Sequence, residues 1–398
     1  MIFLRIVNYE DFFHPDAGYQ LNILAKYFVK FGHEVIIVTT NLDGMDANFV
    51  SFFGTDNIEE RDAEYTKKTG VKIIRVSPAV KKVISSRIIH GKALFDTVEN
   101  LKPDVFFVHG NDTMTGMRYI KKKNLPFPII TDSHMLKMAS LNKFSKYFQA
   151  FYKKFITPDV LKKNITVIRT QDDDYVESAL GIPLKQAPWI SIGTDTDLFH
   201  PDEDVKKAFR KEHGIPEDGF VFVCTGKLEE SKGGLILAEA FKEKFASEKD
   251  VTLVTVGNIN GDDYGEKVKE TFAQSANRII NFPTQKYPDL GKFYQMADVC
   301  VFARQCSLSF YDAQGCGLPV ISEDNNINVD RNSHGNGLCF KSGDAASLRE
   351  KIEEMLNMSE SDLAGMKENS YRLIIENYNY ETKAREYEKY ILDAAGRH

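Results

Sequence analysis

The chain has 398 residues, with 51 Lys and Arg against 57 Asp and Glu, a formal net charge of -6 and 42% hydrophobic residues. This length predicts two or three domains, and the composition excludes a disordered or fibrous protein. A mildly acidic chain lacks the basic excess that nucleic-acid binding generally requires, so we expect no nucleic-acid partner. No apolar run approaches the roughly 18 residues of a membrane-spanning helix, and the opening MIFLRIVNYEDFFHP lacks the basic region of a signal peptide.

Neither the cysteines nor the acidic runs of the sequence indicate a metal site. The five cysteines lie in the second half of the chain without Cys-x-x-Cys spacing. This favours reduced thiols in a cytoplasmic protein over a zinc site or a disulfide framework. Residues 172–174 and 195–197 satisfy an Asp-x-Asp pattern that can hold a hard cation, but so short a pattern also matches solvated acidic runs by chance. We therefore predict no metal site.

Short β-branched and aromatic runs alternate with helical patterns along most of the chain. In order, the strand-like runs are IFLRIVNY, EVIIVTT, VKIIRVS, DVFFVHG, FPIITDS, ITVIRTQ, FVFVCTG, VTLVTVG, NRIINFP, DVCVFAR and LPVISED. They are hydrophobic nearly throughout, as expected of strands buried on both faces of a parallel sheet. Helix-length stretches such as YQLNILAKYFVKFG and GLILAEAFKEKFASE separate them. Two successive β/α series predict an α/β fold with two doubly wound domains.

The break between the two series lies in PWISIGTDTDLFHPDEDV, a polar stretch punctuated by proline and glycine. We predict an N-terminal domain over residues 1–195 and a C-terminal domain over 196–375. Residues 376–398 are predicted to form a final helix that packs back on the N-terminal domain. Ligands of such folds usually bind in the cleft opposite the carboxyl ends of the strands.

The first segment with residues suited to ligand binding is the turn HPDAGYQLNIL after the opening strand. A small-residue turn before a helix places backbone N–H groups where an anion can sit, and Ala17 and Gly18 allow a diphosphate or sugar to approach closely. The alternative is an ordinary tight turn between strand and helix. The dinucleotide-binding pattern Gly-x-Gly-x-x-Gly is absent, which argues against a nucleotide-dependent oxidoreductase.

The second segment is VFVCTGKLEESKGGLILAEAF. Lys227 and Lys232 bracket a short loop that leads through a glycine pair into a helix. Two cations in this arrangement suit a diphosphate leaving group, since its negative charge is met from several directions. The alternative is a solvated surface loop in which Glu229 and Glu230 neutralise both lysines.

The third segment is VCVFARQCSLSFYDAQGCGLPVISED. Asp312 lies in the first turns of a short predicted helix, where its carboxylate is placed to accept hydrogen bonds from a ribose diol. A structural alternative is that Asp312 stabilises the N-terminal region of the helix through the helix dipole.

These three segments, in this order, resemble the GT-B glycosyltransferases, specifically the retaining family 4. Further stretches add to the resemblance over nearly the whole chain: GHEVIIVTT, SIGTDTDLFHP, DAQGCGLPVIS and NGLCFKSGDAASLREKI. It implies two Rossmann-like domains that face a central cleft, and transfer of a sugar from a nucleotide-diphosphate sugar to a glycan or lipid-linked acceptor. Retention of anomeric configuration, no metal and no cofactor beyond the donor are implied as well.

The resemblance also implies roles for single residues. Lys227 and Lys232 would stabilise the departing nucleoside diphosphate, Asp312 would hold the ribose, and the turn at Ala17 and Gly18 would approach the diphosphate or the sugar. The donor would bind mainly to the second domain and the acceptor mainly to the first.

His134, in PIITDSHML, resembles the family's histidine that faces the donor sugar. An imidazole there would position a sugar hydroxyl or stabilise charge near the anomeric carbon. The alternative is a structural hydrogen bond at a strand end, which is the role that we expect for His109 in FFVHGND.

The chain departs from the family where retaining members carry Glu-x7-Glu. The second glutamate position is Asp312 and the first is Arg304, which cannot accept a hydrogen bond from a sugar hydroxyl. The family's following glycine–phenylalanine–glycine is replaced by Gln305, Cys306, Ser307 and Ser309. We expect Arg304, Ser307 and Ser309 to line the donor site, and Arg304 to set part of its sugar selectivity. An arginine there suits an acidic sugar such as a uronic acid, a different hydroxyl pattern, or no donor sugar. A one-residue gap in this loop would bring a different side chain into the site.

Two other functions stay open, and the altered loop at Arg304 supports the first of them. A catalytically altered relative would use the same fold as a binding or partner subunit. A sugar-nucleotide epimerase of the same architecture would act without an acceptor.

Residues 140–163 form a basic aromatic segment. Phe144, Phe148, Phe151 and Phe155 recur at helical spacing, and six lysines accompany them: Lys143, Lys146, Lys153, Lys154, Lys162 and Lys163. This pattern indicates peripheral contact with the anionic inner face of a membrane, or with an anionic glycan or lipid phosphate. The alternative is that the phenylalanines pack into the domain core while the lysines face water.

Overall fold

The computed structural model describes residues 3–42, 57–80, 88–135 and 144–396. The chain forms two compact units, Met1–Ile192 with Tyr380–His398, and Gly193–Asn379. The sequence predicts the corresponding divisions at 195 and 375. Each unit is built on a six-stranded sheet.

The first unit has a parallel sheet in the order β3-β2-β1-β4-β5-β6. Its strands are β1 Arg5–Glu10, β2 Glu34–Thr40, β3 Lys72–Val76, β4 Val105–Val108, β5 Ile129–Ser133 and β6 Thr166–Arg169. The helices up to residue 192 are α1 Gln20–Lys30, α2 Ile58–Thr69, α3 Lys92–Asn100, α4 Met114–Lys121, α5 Ser145–Phe155, α6 Thr157–Lys162 and α7 Tyr175–Ser178. The central strands are apolar and buried along nearly their whole length, as expected where helices cover both faces of a parallel sheet.

The first helix forms because its apolar residues recur on one face. Leu21, Leu24, Ala25 and Phe28 are all buried. Gly32 follows the helix with φ 95°, a left-handed conformation that glycine adopts without steric cost. The helix therefore anchors the turn that joins it to β1.

The second unit repeats the architecture with a parallel sheet in the order β12-β11-β10-β7-β8-β9. Its strands are β7 Phe220–Thr225, β8 Val251–Val256, β9 Arg278–Phe282, β10 Val299–Phe302, β11 Val320–Glu323 and β12 Gly337–Phe340. Its helices are α8 Glu203–Glu212, α9 Gly234–Ala240, α10 Asp263–Ala273, α11 Gly291–Gln295, α12 Ser309–Gly315, α13 Asn326–Arg331, α14 Ala345–Leu356 and α15 Glu360–Leu373.

One helix of the second unit is shorter than its sequence pattern indicates. The stretch GLILAEAFKEKFASE is helical only over Gly234–Ala240. Phe241 and Phe245 follow, and both are buried, with their rings 5.4 Å apart in an edge-to-face contact. Packing of these two rings in the core overrides the helical pattern of the residues after Ala240.

The last helix, α16 Tyr380–Gly396, packs on α1 in the first unit. The Gln20 amide donates to the Tyr387 hydroxyl at 2.5 Å, and His33 Nε2 lies 2.9 Å from a carboxylate oxygen of Glu388. The chain thus returns to its first unit after completing the second. Among the described residues, no helix is long and apolar enough to cross a membrane.

Candidate functional site

In the first unit, chemically active side chains gather at the carboxyl edge of the sheet. Glu10 ends β1, His109 follows β4 and His134 follows β5, and these three strands are neighbours in the sheet. Because parallel strands end at the same edge, residues far apart in the sequence meet there. Asp132, within β5, joins them because its position two residues before His134 places both side chains on the same face of the strand.

The Asp132 carboxylate is shared by the two histidines. Its Oδ2 lies 2.8 Å from Nδ1 of His109 and 3.3 Å from Nε2 of His134. Its Oδ1 accepts the backbone N–H of Gly110 at 2.7 Å. The carboxylate is fully buried, whereas the His134 side chain keeps 44% of its surface exposed. Of Asp132 and the two histidines, His134 is therefore the side chain that a ligand can reach.

The electrostatics of the group follow from this geometry. Burial opposes the charge on Asp132, but His109 and His134 hold the pKa of the carboxyl well below its ordinary value. Burial likewise opposes the charge on His134, but the Asp132 carboxylate outweighs it and raises the pKa of the imidazole. An ionised carboxylate thus supports a histidine that tends to carry a proton.

Glu10 adds a second carboxyl to this edge. Burial raises the pKa of Glu10 to about 7, against the opposing effect of His109 and His134. Its Oε2 atom is buried and makes no hydrogen bond within the described residues. A carboxyl in this state can gain or release a proton near neutral pH, which is the property of a general acid or base.

Three members of the group have the chemistry of metal ligands. One ligand atom each from His109, Asp132 and His134 lie within 4.8 Å of one another. A divalent cation is compatible with two imidazoles and a carboxylate. The direct contacts of both histidines with Asp132 account for the closeness of these three side chains without an ion.

The turn after β1 holds the two small residues singled out from the sequence. Ala17 is buried, and its N–H donates to the His14 carbonyl at 3.0 Å. The Asn22 amide donates to the same carbonyl at 2.9 Å, which ties the turn to α1. Gly18 is exposed two residues before the helix begins, so a ligand can approach its backbone.

In the second unit, Lys227 and Lys232 are both exposed in the connection after β7. Lys232 ends a short 3₁₀ turn, Glu230–Lys232, and its Nζ donates to the Gln305 side-chain oxygen at 3.0 Å. Gly233 follows with φ 74°, and a Cβ there would lie 3.0 Å from the Ala303 carbonyl oxygen. Glycine therefore allows the turn to pack closely on the residues after β10.

Arg304 contacts the backbone of the same turn. Its guanidinium donates to the Glu230 carbonyl at 3.0 Å. The Ser307 carbonyl accepts from Arg331 at 2.8 Å, and the Ser307 hydroxyl accepts the Ser309 N–H at 3.2 Å where α12 begins. The loop after β10 is thus held at both ends, with Arg304 against the 3₁₀ turn.

Asp312 is buried in α12 and has polar neighbours from two other segments. Its Oδ1 accepts hydrogen bonds from the Thr194 hydroxyl and, at 3.5 Å, from the Tyr287 hydroxyl. Burial raises the pKa of Asp312 to about 7, Asp195 adds to this rise, and the two hydroxyls oppose it. Two histidines lower the pKa of Asp132, whereas the described side chains that act on Asp312 are a carboxyl and two hydroxyls.

The structure thus brings some of the sequence-derived candidates together. His134 meets His109, and Lys232 meets the loop that carries Arg304, whereas Asp312 contacts Thr194 and Tyr287. Sequence reasoning assigned no role to Asp132 or Glu10, and it noted Gln305 only as part of the altered loop. The spacing Asp-x-His in PIITDSHML was the available signal for the first of these, because alternate residues of a strand share a face.

Residues 205–373 match the family described as "Glycosyl transferases group 1". A probable sucrose-phosphate synthase from Thermosipho melanesiensis is 23% identical, over 94% of this chain and 90% of that protein. A D-inositol 3-phosphate glycosyltransferase from Segniliparus rotundus is 28% identical over 136 residues, which are 33% of this chain and 30% of that protein.

Solved structures extend the likeness to the whole fold. A glycosyltransferase from Rickettsia africae has a TM-score of 0.72 at 16% identity and covers 98% of both chains. Anabaena HepE, solved in complex with UDP-glucose, has a TM-score of 0.69 at 14% identity over 98% of this chain and 100% of that chain. The fold predicted from the sequence is confirmed. The chain has a GT-B fold, and residues 205–373, within its second unit, match the group 1 glycosyl transferase family.

Proposed function

We propose that the protein transfers a sugar from a nucleotide-diphosphate sugar to a glycan or lipid-linked acceptor, with retention of anomeric configuration and without a metal. The observation that carries this proposal is the placement of Lys227 and Lys232 as exposed cations after β7, inside the segment that matches the glycosyltransferase family. Cations fixed near a departing diphosphate stabilise the charge that develops as the glycosidic bond breaks. The UDP-glucose in the Anabaena structure supports a donor of this class.

Asp312 serves as the group that holds the ribose. An ionised carboxylate accepts hydrogen bonds from both hydroxyls of a diol. A carboxyl with a pKa of about 7 is partly protonated at neutral pH, so a diol that donates to it favours the ionised form. Nucleotide-sugar affinity is therefore expected to increase as the pH rises towards and through 7.

In the first unit, His134 orients the donor sugar or stabilises charge near the anomeric carbon, and Asp132 positions the imidazole. The exposed side chain of His134 and the buried carboxylate behind it support this division of roles. Ala17 and Gly18 provide the turn that the diphosphate or sugar approaches. Arg304, Ser307 and Ser309 belong to the donor-binding loop.

The acceptor is a glycan or a lipid-linked molecule at the inner face of a membrane, where the protein works as a peripheral cytoplasmic enzyme. Phe144 and Tyr147 expose 62% and 74% of their surface, and Phe151 and Phe155 are also exposed. Phe148 alone of the predicted stripe packs against the core of the first unit. The lysines exposed on and after α5 include Lys146, Lys153, Lys154 and Lys162. Residues 140–143, including Lys143, lie outside the described residues.

This arrangement supports membrane contact more than the alternative of a phenylalanine stripe that packs in the core. Exposed aromatic rings enter the headgroup region of a bilayer, while lysines beside them attract anionic lipids. Binding to vesicles of anionic phospholipid, compared with zwitterionic vesicles, tests this contact. Replacement of Tyr147 and Phe151 by serine is expected to weaken vesicle binding without loss of the folded state.

The activity is tested by incubating the protein with nucleotide sugars in the presence of EDTA, with and without glycan and polyprenyl-phosphate acceptors. Transfer to an acceptor, with the anomeric configuration of the product assigned by NMR, is the expected result. A new nucleotide sugar formed without an acceptor indicates an epimerase, and binding without any reaction indicates a partner subunit. Loss of activity in EDTA contradicts metal independence.

A pair of lysine substitutions tests the diphosphate role. Lys232→Ala is expected to reduce turnover by at least about 100-fold because it removes a charge that the transition state needs. Lys267→Ala removes an exposed lysine from α10 and is the matched control. Turnover at the wild-type level in Lys232→Ala contradicts the role proposed for this residue.

A further inference from the structure

The backbone at Gln305 has an uncommon conformation. Gln305 has φ 64°, and the other described non-glycine residues with positive φ are Asn57, Lys102 and Asn164. A side chain in the left-handed region brings Cβ close to a carbonyl oxygen, and asparagine tolerates this better than glutamine. Such conformations persist where the surroundings enforce them, and they concentrate at functional sites.

The surroundings enforce this conformation through hydrogen bonds on both sides of the residue. The Gln305 N–H donates to Glu323 Oε1 at 2.7 Å, and the Gln305 carbonyl accepts from the Asn328 amide at 3.1 Å. Glu323 is fixed in turn, because its Oε2 accepts the Ser342 hydroxyl at 2.7 Å. Asn328 also donates to the Glu323 carbonyl at 3.0 Å. Side chains from the end of β11 and from α13 thus hold the peptide groups at 305 in place.

The side chain of Gln305 is directed to the predicted diphosphate lysine. Its Oε1 accepts from Lys232 Nζ at 3.0 Å, which leaves the two N–H bonds of the amide as donors. Gln305 is exposed, so these donors are accessible to a ligand. The neighbouring Arg304 instead bonds the Glu230 carbonyl. A spacing argument assigns the first glutamate position to 304, but the side chain beside Lys232 is that of 305.

We propose that Gln305, rather than Arg304, contacts the donor sugar and determines which sugar the enzyme accepts. The inference rests on the proposed function, since it takes Lys232 as a diphosphate ligand. Lys232 orients the Gln305 carbonyl, and the amide N–H groups donate to a hydroxyl or carboxylate oxygen of the sugar. A neutral amide therefore provides donors where a carboxylate would provide acceptors, so the favoured sugar presents oxygen acceptors at this position.

The left-handed conformation provides a sharp test of this proposal. Gln305→Gly removes the side chain and also removes the steric strain, so the variant is expected to melt at the wild-type temperature or above it. For nucleotide sugars that share a nucleotide but differ in the sugar, we expect the ratio of affinities to fall at least about tenfold in this variant. The reason is that a hydrogen bond to the sugar is gone. Affinity for the corresponding nucleoside diphosphate is expected to stay within about threefold, because Lys232 remains.

The probes are UDP, ADP and GDP with their glucose and glucuronic acid derivatives, measured by calorimetry and by donor turnover. Lys102→Gly is the control, since it relieves the same left-handed conformation at an exposed position of the first unit. It is expected to leave sugar discrimination unchanged. Gln305→Ala retains the strained backbone and is expected to lose the same discrimination with a lower melting temperature than Gln305→Gly.

Three results separate the possible failures. Wild-type protein that discriminates among sugars, together with a Gln305→Gly variant that discriminates equally well, overturns the inference about Gln305. An equal loss of affinity for nucleoside diphosphate and nucleotide sugar in that variant also overturns it, since the side chain would then act on the diphosphate. Wild-type protein that binds none of these nucleotides and transfers no sugar contradicts the proposed function itself.

Discussion

Each of the two units buries a candidate site aspartate, and the pKa values of the two carboxyls are shifted in opposite directions. Asp132 is paired with His109 and His134, and its pKa lies well below the ordinary value. Asp312 accepts hydrogen bonds from the hydroxyls of Thr194 and Tyr287, and its pKa is raised to about 7. Burial acts in the same direction on both carboxyls, so the two histidines beside Asp132 account for the difference.

Because the two pKa values are shifted in opposite directions, ionisation of Asp132 stabilises the fold, whereas ionisation of Asp312 destabilises it. The ordinary pKa of an aspartate is 3.8, and the folded-state pKa of Asp132 is lower. Its ionisation therefore stabilises the fold above about pH 4, and this contribution is lost as the pH falls towards the folded-state value. Asp312 has a higher pKa in the fold, so its contribution decreases as the pH rises from about 4 to about 7 and is constant above that.

The largest expected effect comes from removing the charge that distinguishes the first unit. Asp132→Asn leaves two histidines around a neutral amide, so the pKa of His134 is expected to fall and its ring to lose its fixed orientation. We expect turnover to decrease by at least about 100-fold, within the range that positioned acid–base groups contribute. Steady-state kinetics and the NMR titration of His134 measure the two effects.

Asp172→Asn is the control for that substitution, because Asp172 is a largely exposed carboxylate of the same unit. It is expected to leave turnover unchanged. An unaltered His134 titration in Asp132→Asn would mean that the shared carboxylate does not control the imidazole.

The next effect concerns the uncompensated carboxyl of the second unit. Asp312→Asn retains an oxygen that accepts from Thr194 but has no charge to bury. The variant is expected to gain stability relative to the wild type as the pH rises from 4 to 7, by on the order of a few kcal/mol, and the difference should then remain constant. Denaturant unfolding at several pH values measures it. A difference that does not change with pH contradicts the raised pKa.

The contrast between the two aspartates was only partly accessible from the sequence. Eleven strand-like runs were recognisable because strands of a buried parallel sheet are apolar nearly throughout. The pair Asp132 and His134 was recognisable in principle from its spacing of two. The meeting of His109 and Glu10 with that pair depends on the strand order β1-β4-β5, which a local pattern does not contain.

In the second unit too, contacts between residues distant in the sequence determine the site, and local patterns do not reveal them. The motif identified Lys232 and the region of Asp312, but the positive φ of Gln305 is imposed by Glu323 and Asn328, which lie 18 and 23 positions away. Thr194, the hydroxyl that contacts Asp312, is 118 positions away. A motif specifies residue types at a site, whereas side-chain direction depends on tertiary hydrogen bonds that local sequence does not encode.

A smaller effect is expected from the hydroxyl that contacts Asp312. Thr194→Val keeps the side-chain shape and removes the hydrogen bond that lowers the pKa of Asp312. The pKa of Asp312 is therefore expected to rise further, and nucleotide-sugar affinity at pH 7 to decrease by a few-fold, with recovery at higher pH. Calorimetry at pH 6.5 and 8.5 measures this change. Thr196→Val, in the same segment, is the control, and an equal affinity loss at both pH values contradicts the explanation.

The smallest effect sharpens the comparison within the first unit. Glu10 raises the pKa of His134, but it acts after Asp132 in importance. Glu10→Gln is therefore expected to lower the pKa of His134 by less than Asp132→Asn does, and to remove the stability loss that Glu10 causes between its ordinary pKa of 4.5 and about 7. NMR titration of His134 in both variants measures which substitution lowers its pKa more. If the two variants shift His134 equally, the carboxyls act as one charged group, and the assignment of the positioning role to Asp132 alone is wrong.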